Sequence, residues 1–537
     1  MDSFDLGVPG KDLTPFPGST SGLQTRIEGS ADLLITNNQR DPKVFDLYHY
    51  TEATGKLKLL AQNPGDVVSW LTNAQGQLLG RVRKQDAFWV YEKYSPDLSA
   101  PWQALFKVDY FDTVELLEVG ADSRFVWALS NRGRDKLALV KINLANGQED
   151  VVYADPRVDI SQAFISPKTL QPLLLTLDPG YQELKAFDPG LQRALQRLQT
   201  QHPGHMRFTP TSMSRDENLI TGTVTREDGG QHVLFNVSTG QLTVLGETTP
   251  SRIHAISPLP RQIPLAFQSR DGLALHAYLT LPTGTSGKNL PTVLYVHGGP
   301  WARDVWNSGD AMPAFLANRG YAVLQVNYRG SSGYGRDFQE AAQGQFAAKM
   351  HDDLLDGVDH LVQQGITDPA KVAIMGASYG GYASLVGMTF TPERFACGIS
   401  MAGMSDLASL IDNAPPYWAL SKPWWIRYVG DPANPQDRAV MDSKSPLYRA
   451  SQVSKPLLIL HGVNDPRVKI DQSIRMVQAL RKAGKEVDFV VFKGAGHGTQ
   501  KWSDNLRYYR KTEDFLGRCL GGRSSGFDWF ELGSWAF

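Results

Sequence analysis

VAIMGASYGGYASL, residues 372–385, is an apolar run, then a serine set between glycines, then a second apolar run that starts on a Gly-Gly pair. In that order it reads as strand, tight turn and helix. The central GASYG fits G-x-S-x-G, the pattern of a nucleophile elbow. Such a turn lifts Ser378 out of the end of a strand with its Oγ exposed, and Gly376 and Gly380 leave room for strand and helix to approach closely. The free N–H groups of the helix's first turn then face the same spot.

A serine is a weak nucleophile at neutral pH and needs a base. Downstream, LLILHGVNDPRV (457–468) reads as a strand that sets Asp465 on the following loop. VVFKGAGHG (490–498) reads as the next strand, with His497 in a glycine-rich loop. The order Ser378, Asp465, His497 is the order of an α/β-hydrolase triad, with His497 as base and Asp465 orienting it. Asp431, in a Pro/Asn-rich loop, and Asp471, at an apparent helix start, compete for the acid role. An oxyanion needs two donors. The N–H of Tyr379 is one, and Gly298 or Gly299 in YVHGGPW (295–301) offers the other, with His297 shaping that loop.

Outward from these motifs the pattern alternates. Apolar runs at 292–298, 321–328, 372–377, 397–403, 457–462 and 488–494 read as strands. Helical stripes fall between them: Leu354, Val358, Leu361 and Gly365 in one segment, and Ile470, Ile474 and Val477 in another. A hairpin at 263–282 leads in, and 502–520 reads as the last helix. Near-continuous apolar strands alternating with helices predict a doubly wound, mostly parallel α/β sheet.

Before about residue 258 the rhythm is different. Short strand pairs surround Gly55, Gly147 and Gly240, which lie 92 and 93 residues apart. Weaker units at 88–108 and 184–198 fall between them, and the second half of the latter looks helical. Five units about 46 residues apart match the period of a four-stranded propeller blade. The expectation is an arm over 1–22, an all-β propeller of about five to seven blades over 23–258, and an α/β-hydrolase domain over 259–537 that it caps.

The chain has 537 residues, a net charge of −1 and two cysteines. Near-neutral charge gives no reason for a nucleic-acid or anionic-membrane partner. No apolar stretch reaches a membrane span, and the first residues lack the pattern of a secretory signal. A cytoplasmic protein without cofactor is expected. His351 and His360 do not share a helix face, no Cys/His ligand spacing occurs, and no G-x-G-x-x-G joins strand to helix, so no metal or dinucleotide is implied.

The motifs HGGPW (297–301), NYRGSSGYGRDF (327–338), GASYGGYASL (376–385), HGVNDPRV (461–468) and GAGHG (494–498) together resemble the prolyl oligopeptidase family of serine peptidases, in its acylaminoacyl-peptidase and dipeptidyl-aminopeptidase-like branch. The resemblance spans 263–520. It implies the propeller, the triad Ser378, Asp465 and His497, the oxyanion hole of Tyr379 and the HGGP loop, a short peptide or acylated small-molecule substrate, and a homodimer. In that family paired acidic residues hold a free substrate N-terminus. No such pair stands out here, and GQED (147–150) reads as an exposed turn, so acylaminoacyl or oligopeptidase activity is expected over dipeptidyl release. Tyr417, Trp418, Trp424, Trp425 and Tyr428 either line a pocket for an apolar P1 side chain or pack as core. Arg329 is either a substrate clamp or a structural ion pair. The same triad also serves a non-peptidase hydrolase of esters, thioesters or unusual amides.

Overall fold

The computed structural model describes residues 12–526, apart from 98–99, 202–203, 227–228, 249–259, 416–417 and 419–420. The expected boundary at 258/259, most of the arm and Tyr417 therefore lie outside the described residues. The chain divides into two compact units, Met1–Pro156 with Gln162–Leu175, and Arg157–Ser161 with Thr176–Phe537.

Five sheets follow one another along the first half, and the four with four strands are antiparallel throughout. Four have four strands in meander order: β1 Ser21–Arg26, β2 Leu33–Asn37, β3 Asp46–Thr51 and β4 Lys56–Ala61; β5 Val67–Thr72, β6 Leu78–Gln85, β7 Phe88–Tyr94 and β8 Trp102–Asp109; β9 Val114–Val119, β10 Phe125–Ser130, β11 Ala138–Asn143 and β12 Glu149–Tyr153; and, after a three-stranded sheet, β16 Met206–Met213, β17 Leu219–Arg226, β18 Gly229–Asn236 and β19 Gln241–Glu247. The three-stranded sheet holds β13 Ile160–Ile165, β14 Pro172–Leu177 and β15 Glu183–Ala186. β1 begins at Ser21, so the last two residues assigned to the arm belong to the first strand.

One turn recurs between the third and fourth strands of three sheets. Gly55, Gly147 and Gly240 have φ of 65°, 71° and 74°, left-handed values that a residue with a Cβ rarely adopts. Each donates its N–H over 2.8 Å to the carbonyl four residues back, on Thr51, Asn143 and Asn236. In the three-stranded sheet a helix, Pro189–Gln201, stands where the fourth strand would be. Asp188 caps it, accepting from Leu191 N at 2.7 Å, and Pro189 suits its first position. Leu191, Ala194, Leu195 and Leu198 recur at helical spacing and are its buried face.

The second half carries an eight-stranded sheet in the order β20-β21-β23-β22-β24-β25-β26-β27. Its strands are β20 Gln262–Gln268, β21 Ala274–Thr280, β22 Leu290–Val296, β23 Ala322–Asn327, β24 Thr367–Ala377, β25 Cys397–Met401, β26 Leu457–Gly462 and β27 Val487–Phe492. β20 and β21 run antiparallel; from β23 to β27 all pairs are parallel. β23, β25 and β26 are buried at every residue. Val293, Val323, Met375, Ile399 and Leu458 form one cluster with Leu316 and Leu516 from the helices Ala311–Asn318 and Trp502–Leu520.

One local reading changes. In the helix Asp471–Lys482 the buried stripe runs through Ser473, Met476, Val477 and Leu480, and Ile474 is 36% exposed. Two small or polar residues, Gln472 and Ser473, are buried there because they hydrogen-bond inward. Cys397 and Cys519 form a disulfide with Cα atoms 6.3 Å apart. No helix among the described residues is long and apolar enough to cross a membrane.

Candidate active site

The parallel register brings the motif loops to one end of the sheet. Gly376 pairs with Val296 and Ser400, and Ala377 with Met401. Met401 pairs with Leu460, and Gly462 with Phe492. The next residues are the HGGP loop, Ser378, the Asp465 loop and the His497 loop, all leaving the carboxyl ends of neighbouring strands. In open α/β sheets that edge is where ligands bind.

Ser378 has φ 58° and ψ −117°, a left-handed conformation costly for a residue with a side chain, of order 1–3 kcal/mol. The turn is held on both sides: Ser378 N donates to Met401 O at 2.9 Å, and Tyr382 N donates to Ser378 O at 3.0 Å. Its tightness requires bare backbone. A Cβ on Gly380 would lie 2.0 Å from Val296 O, and one on Gly376 would lie 2.7 Å from Gly380 Cα. The HGGP loop abuts the same turn, since a Cβ on Gly298 would lie 3.1 Å from Ala377 O and 3.5 Å from Ser378 Cβ. The Tyr379 ring is buried against Phe346, Tyr382 and Tyr328, so its backbone N–H is the group it can offer. As the first helical residue it has no intrahelical acceptor.

His497 and Asp465 meet: His497 Nδ1 lies 2.6 Å from Asp465 Oδ2. The carboxylate accepts, so Nδ1 carries the hydrogen and Nε2 is left to accept a proton. Asp465 Oδ1 accepts from Arg467 N at 2.8 Å and Val468 N at 3.0 Å. Burial alone pushes this carboxyl up, but hydrogen bonds from His461, His497 and the Arg467 amide outweigh it and hold it well below the usual carboxylate range. The competing acids are engaged elsewhere. Asp431 accepts from Ala433 N within its own turn, and Asp471, 63% exposed, faces Arg475. His297 stacks on Tyr328 at 4.4 Å and donates from Nδ1 to Gly298 O at 2.8 Å; burial pushes it down to about 4, so it is neutral scaffolding for the loop.

Other expectations are corrected. Arg329 is not a substrate clamp. It is 3% exposed and its guanidinium is shared between both carboxylate oxygens of Asp353 and of Asp271 at 2.7–3.0 Å. Glu149 of GQED is not an exposed turn residue; its side chain is 4% exposed and paired with Arg132 and Arg134. The aromatic insert divides. Trp425 and Tyr428 are buried, while Trp424 and Trp418 are half-buried, Trp418 stacking on Trp425 at 5.4 Å. Trp301 joins them, 5.2–5.5 Å from Trp424, Trp425 and Tyr428, and links the insert to the HGGP loop. Its place beside Pro300 in HGGPW was the available signal. Of the tail 523–537, Arg523 N donates to Arg319 O and Ser525 Oγ to Glu513 Oε2, on its own unit; the aromatic part lies outside the described residues.

Residues 307–523 match the prolyl oligopeptidase family. Dipeptidyl aminopeptidase BIII of Pseudoxanthomonas mexicana is 36% identical over 528 residues, 96% of this chain and 75% of that protein. An acylamino-acid-releasing enzyme of Arabidopsis thaliana is 30% identical over 214 residues, 40% of this chain and 28% of that one. A puromycin-hydrolyzing peptidase of Mycobacterium tuberculosis superposes with a TM-score of 0.74 at 20% identity, over 95% of this chain and 80% of that one, a likeness of fold. Blade sheets followed by a mostly parallel sheet are the propeller and α/β-hydrolase of that fold class. Identity at this level over nearly the whole chain goes beyond fold: the protein belongs to the prolyl oligopeptidase family and is a serine peptidase.

Proposed function

We propose that the enzyme is an exopeptidase that releases dipeptides from the free N-terminus of short peptides through an acyl-enzyme on Ser378. His497 Nε2 takes the proton as Ser378 Oγ attacks the carbonyl, then passes it to the leaving amine as the C–N bond breaks. Water repeats the sequence against the ester and frees Ser378. Asp465 orients His497 and stabilises its imidazolium. The N–H groups of Tyr379 and Gly299 receive the oxyanion. The observation that supports this most is the 2.6 Å Asp465–His497 bond, at the sheet edge where Ser378 stands in its left-handed turn. The half-buried Trp418 and Trp424 with Trp301 suit an apolar P1 side chain.

Dipeptide release is favoured over the acylaminoacyl activity expected at first because the relative that matches 96% of the chain is a dipeptidyl aminopeptidase. The acylamino-acid-releasing relative matches 40%, so its similarity says little about the blades. Chromogenic dipeptidyl amides, N-acetyl-amino-acid amides and short-chain esters, offered in parallel, decide the matter. Turnover of free-amine dipeptidyl amides, lost in Ser378→Ala, is the expected result. Cleavage of the acetylated set alone would overturn dipeptide release, and ester turnover without amide turnover would overturn peptide hydrolysis at this site.

A further inference from the structure

Two imidazoles approach Asp465 on one oxygen. Besides His497, His461 Nε2 stands 3.4 Å from Oδ2, and the side chains of His461 and Asp465 are both fully buried. The same Nε2 is 2.8 Å from Val468 O, and His461 Nδ1 is 2.7 Å from Ser473 Oγ. A backbone carbonyl can only accept, so Nε2 carries a hydrogen, directed at Val468 O with Asp465 Oδ2 to its side. In the neutral ring Nδ1 then accepts, and the Ser473 hydroxyl donates to it. The chain of donors runs from Ser473 through His461 to Val468 O and Asp465. Val468 closes the loop, because its own N–H donates to Asp465 Oδ1 at 3.0 Å.

This arrangement ties a loop carboxylate to two regular elements. His461 belongs to β26, buried at every residue, and Ser473 to the first turn of the helix Asp471–Lys482. Among the described residues, the side chains bonded to or ion-paired with Asp465 are His461 and His497. The other charged residues of the segment, Arg467, Lys469 and Asp471, are exposed.

We infer that His461 is a positioning residue for the catalytic acid, sharing Asp465 Oδ2 with His497 and so limiting how much carboxylate charge His497 feels. This rests on the triad proposed above. With its hydrogen pointed at Val468 O and its nitrogen 3.4 Å from Asp465 Oδ2, this N–H sets its positive end beside the shared oxygen and weakens that oxygen's pull on the imidazolium. Without that N–H the imidazolium is better stabilised, and His497 gives up its proton at higher pH. The acid limb of the rate profile then moves up. Loss of packing alone would lower the rate equally at every pH.

The test uses the full chain and the pH dependence of fluorophosphonate labelling at Ser378, which needs no knowledge of the substrate. His461→Leu is expected to label about tenfold more slowly, with its acid limb raised by about half a pH unit. His461→Gln, whose amide places a donor where Nε2 stood, restores the limb and brings the rate to within about threefold of wild type. A folded His461→Leu with the wild-type limb, or a folded His461→Gln that behaves like the leucine variant, overturns the assignment. If His461→Leu does not fold, Ser473→Ala decides: a shifted limb at the wild-type melting temperature supports it and an unmoved limb overturns it. Ser378→Ala and His497→Ala run alongside. If they abolish labelling while the His461 variants behave as wild type, the His461 inference fails and the triad stands. If His497→Ala labels normally, the triad itself fails.

Discussion

β26 and β12 are strands of similar length with opposite surroundings. All six residues of β26 are buried, whereas Val151 and Val152 in β12 are 53% and 41% exposed. β26 has a strand on each side and cover on both faces; β12 is the outer strand of its sheet. In the first setting the whole strand is specified by packing, and the loops at its end inherit that rigidity. In the second, the turn glycine carries much of the specification. Of the residues proposed for catalysis, Gly299, Ser378, Tyr379 and Asp465 follow strands with a neighbour on each side, whereas His497 follows β27, the outer strand of its sheet.

The largest expected effect comes from disturbing a strand end where backbone meets backbone. Gly380→Ala places a methyl 2.0 Å from Val296 O, with no flexible side chain to yield. Either the helix Tyr379–Phe390 or β22 must move, at a cost of about 4 kcal/mol or more. The expected outcome is loss of folded protein, or a urea midpoint far below wild type with no fluorophosphonate labelling. Wild-type stability in this variant would show that the elbow is not closed by backbone contact.

The two regions also differ in how they bury charge. In the blade sheets Glu149 is buried but paired with two arginines. In the loop that follows the HGGP glycines, Asp304 Oδ2 is buried without a partner. Burial, then the neighbouring Asp310, push the Asp304 carboxyl up to about 7, against weaker lowering by Gln325 and Arg303. The folded protein thus holds a proton that the unfolded chain releases near the ordinary carboxylate range. Stability from this group is full at acid pH, falls as pH rises between about 4 and 7, and is level above, a change of about 2–4 kcal/mol. Asp304→Asn removes that slope. Urea unfolding of both proteins across this window is expected to show the difference shrinking toward acid pH. Parallel stability curves would mean that Asp304 is ionised in the fold.

The contrast also explains what the sequence made legible. The parallel sheet was readable strand by strand, and β26 lies at 457–462 as expected, because burial on both faces leaves an uninterrupted apolar run. The blades were readable through Gly55, Gly147 and Gly240, since φ near 70° demands glycine. The helix at 189–201 was visible because its apolar spacing departs from that of a strand. Arg329 was not legible: its partners Asp271 and Asp353 lie 58 and 24 residues away, and nothing local distinguishes a clamp from an ion pair. Ile474 misled for a related reason. Gln472 and Ser473 are buried by hydrogen bonds to Ser405 and His461, which hydrophobic periodicity does not register.

The smallest effect belongs to the outer strand of the last blade sheet. β19 pairs with β18 from Gln241 to Glu247 with a register shift that leaves Leu245 out of the pairing, and Val244 and Leu245 are 49% and 60% exposed. Leu245→Thr keeps a residue suited to a strand and removes little buried surface, so the expected change in stability is within about 0.5 kcal/mol, read as an unchanged urea midpoint. A loss above about 1.5 kcal/mol would mean that this face is covered in solution, and a midpoint that depends on protein concentration would identify a second copy of the chain as the cover. The outer strand would then be specified by packing as β26 is, and the distinction between the two kinds of strand would hold only within a single chain.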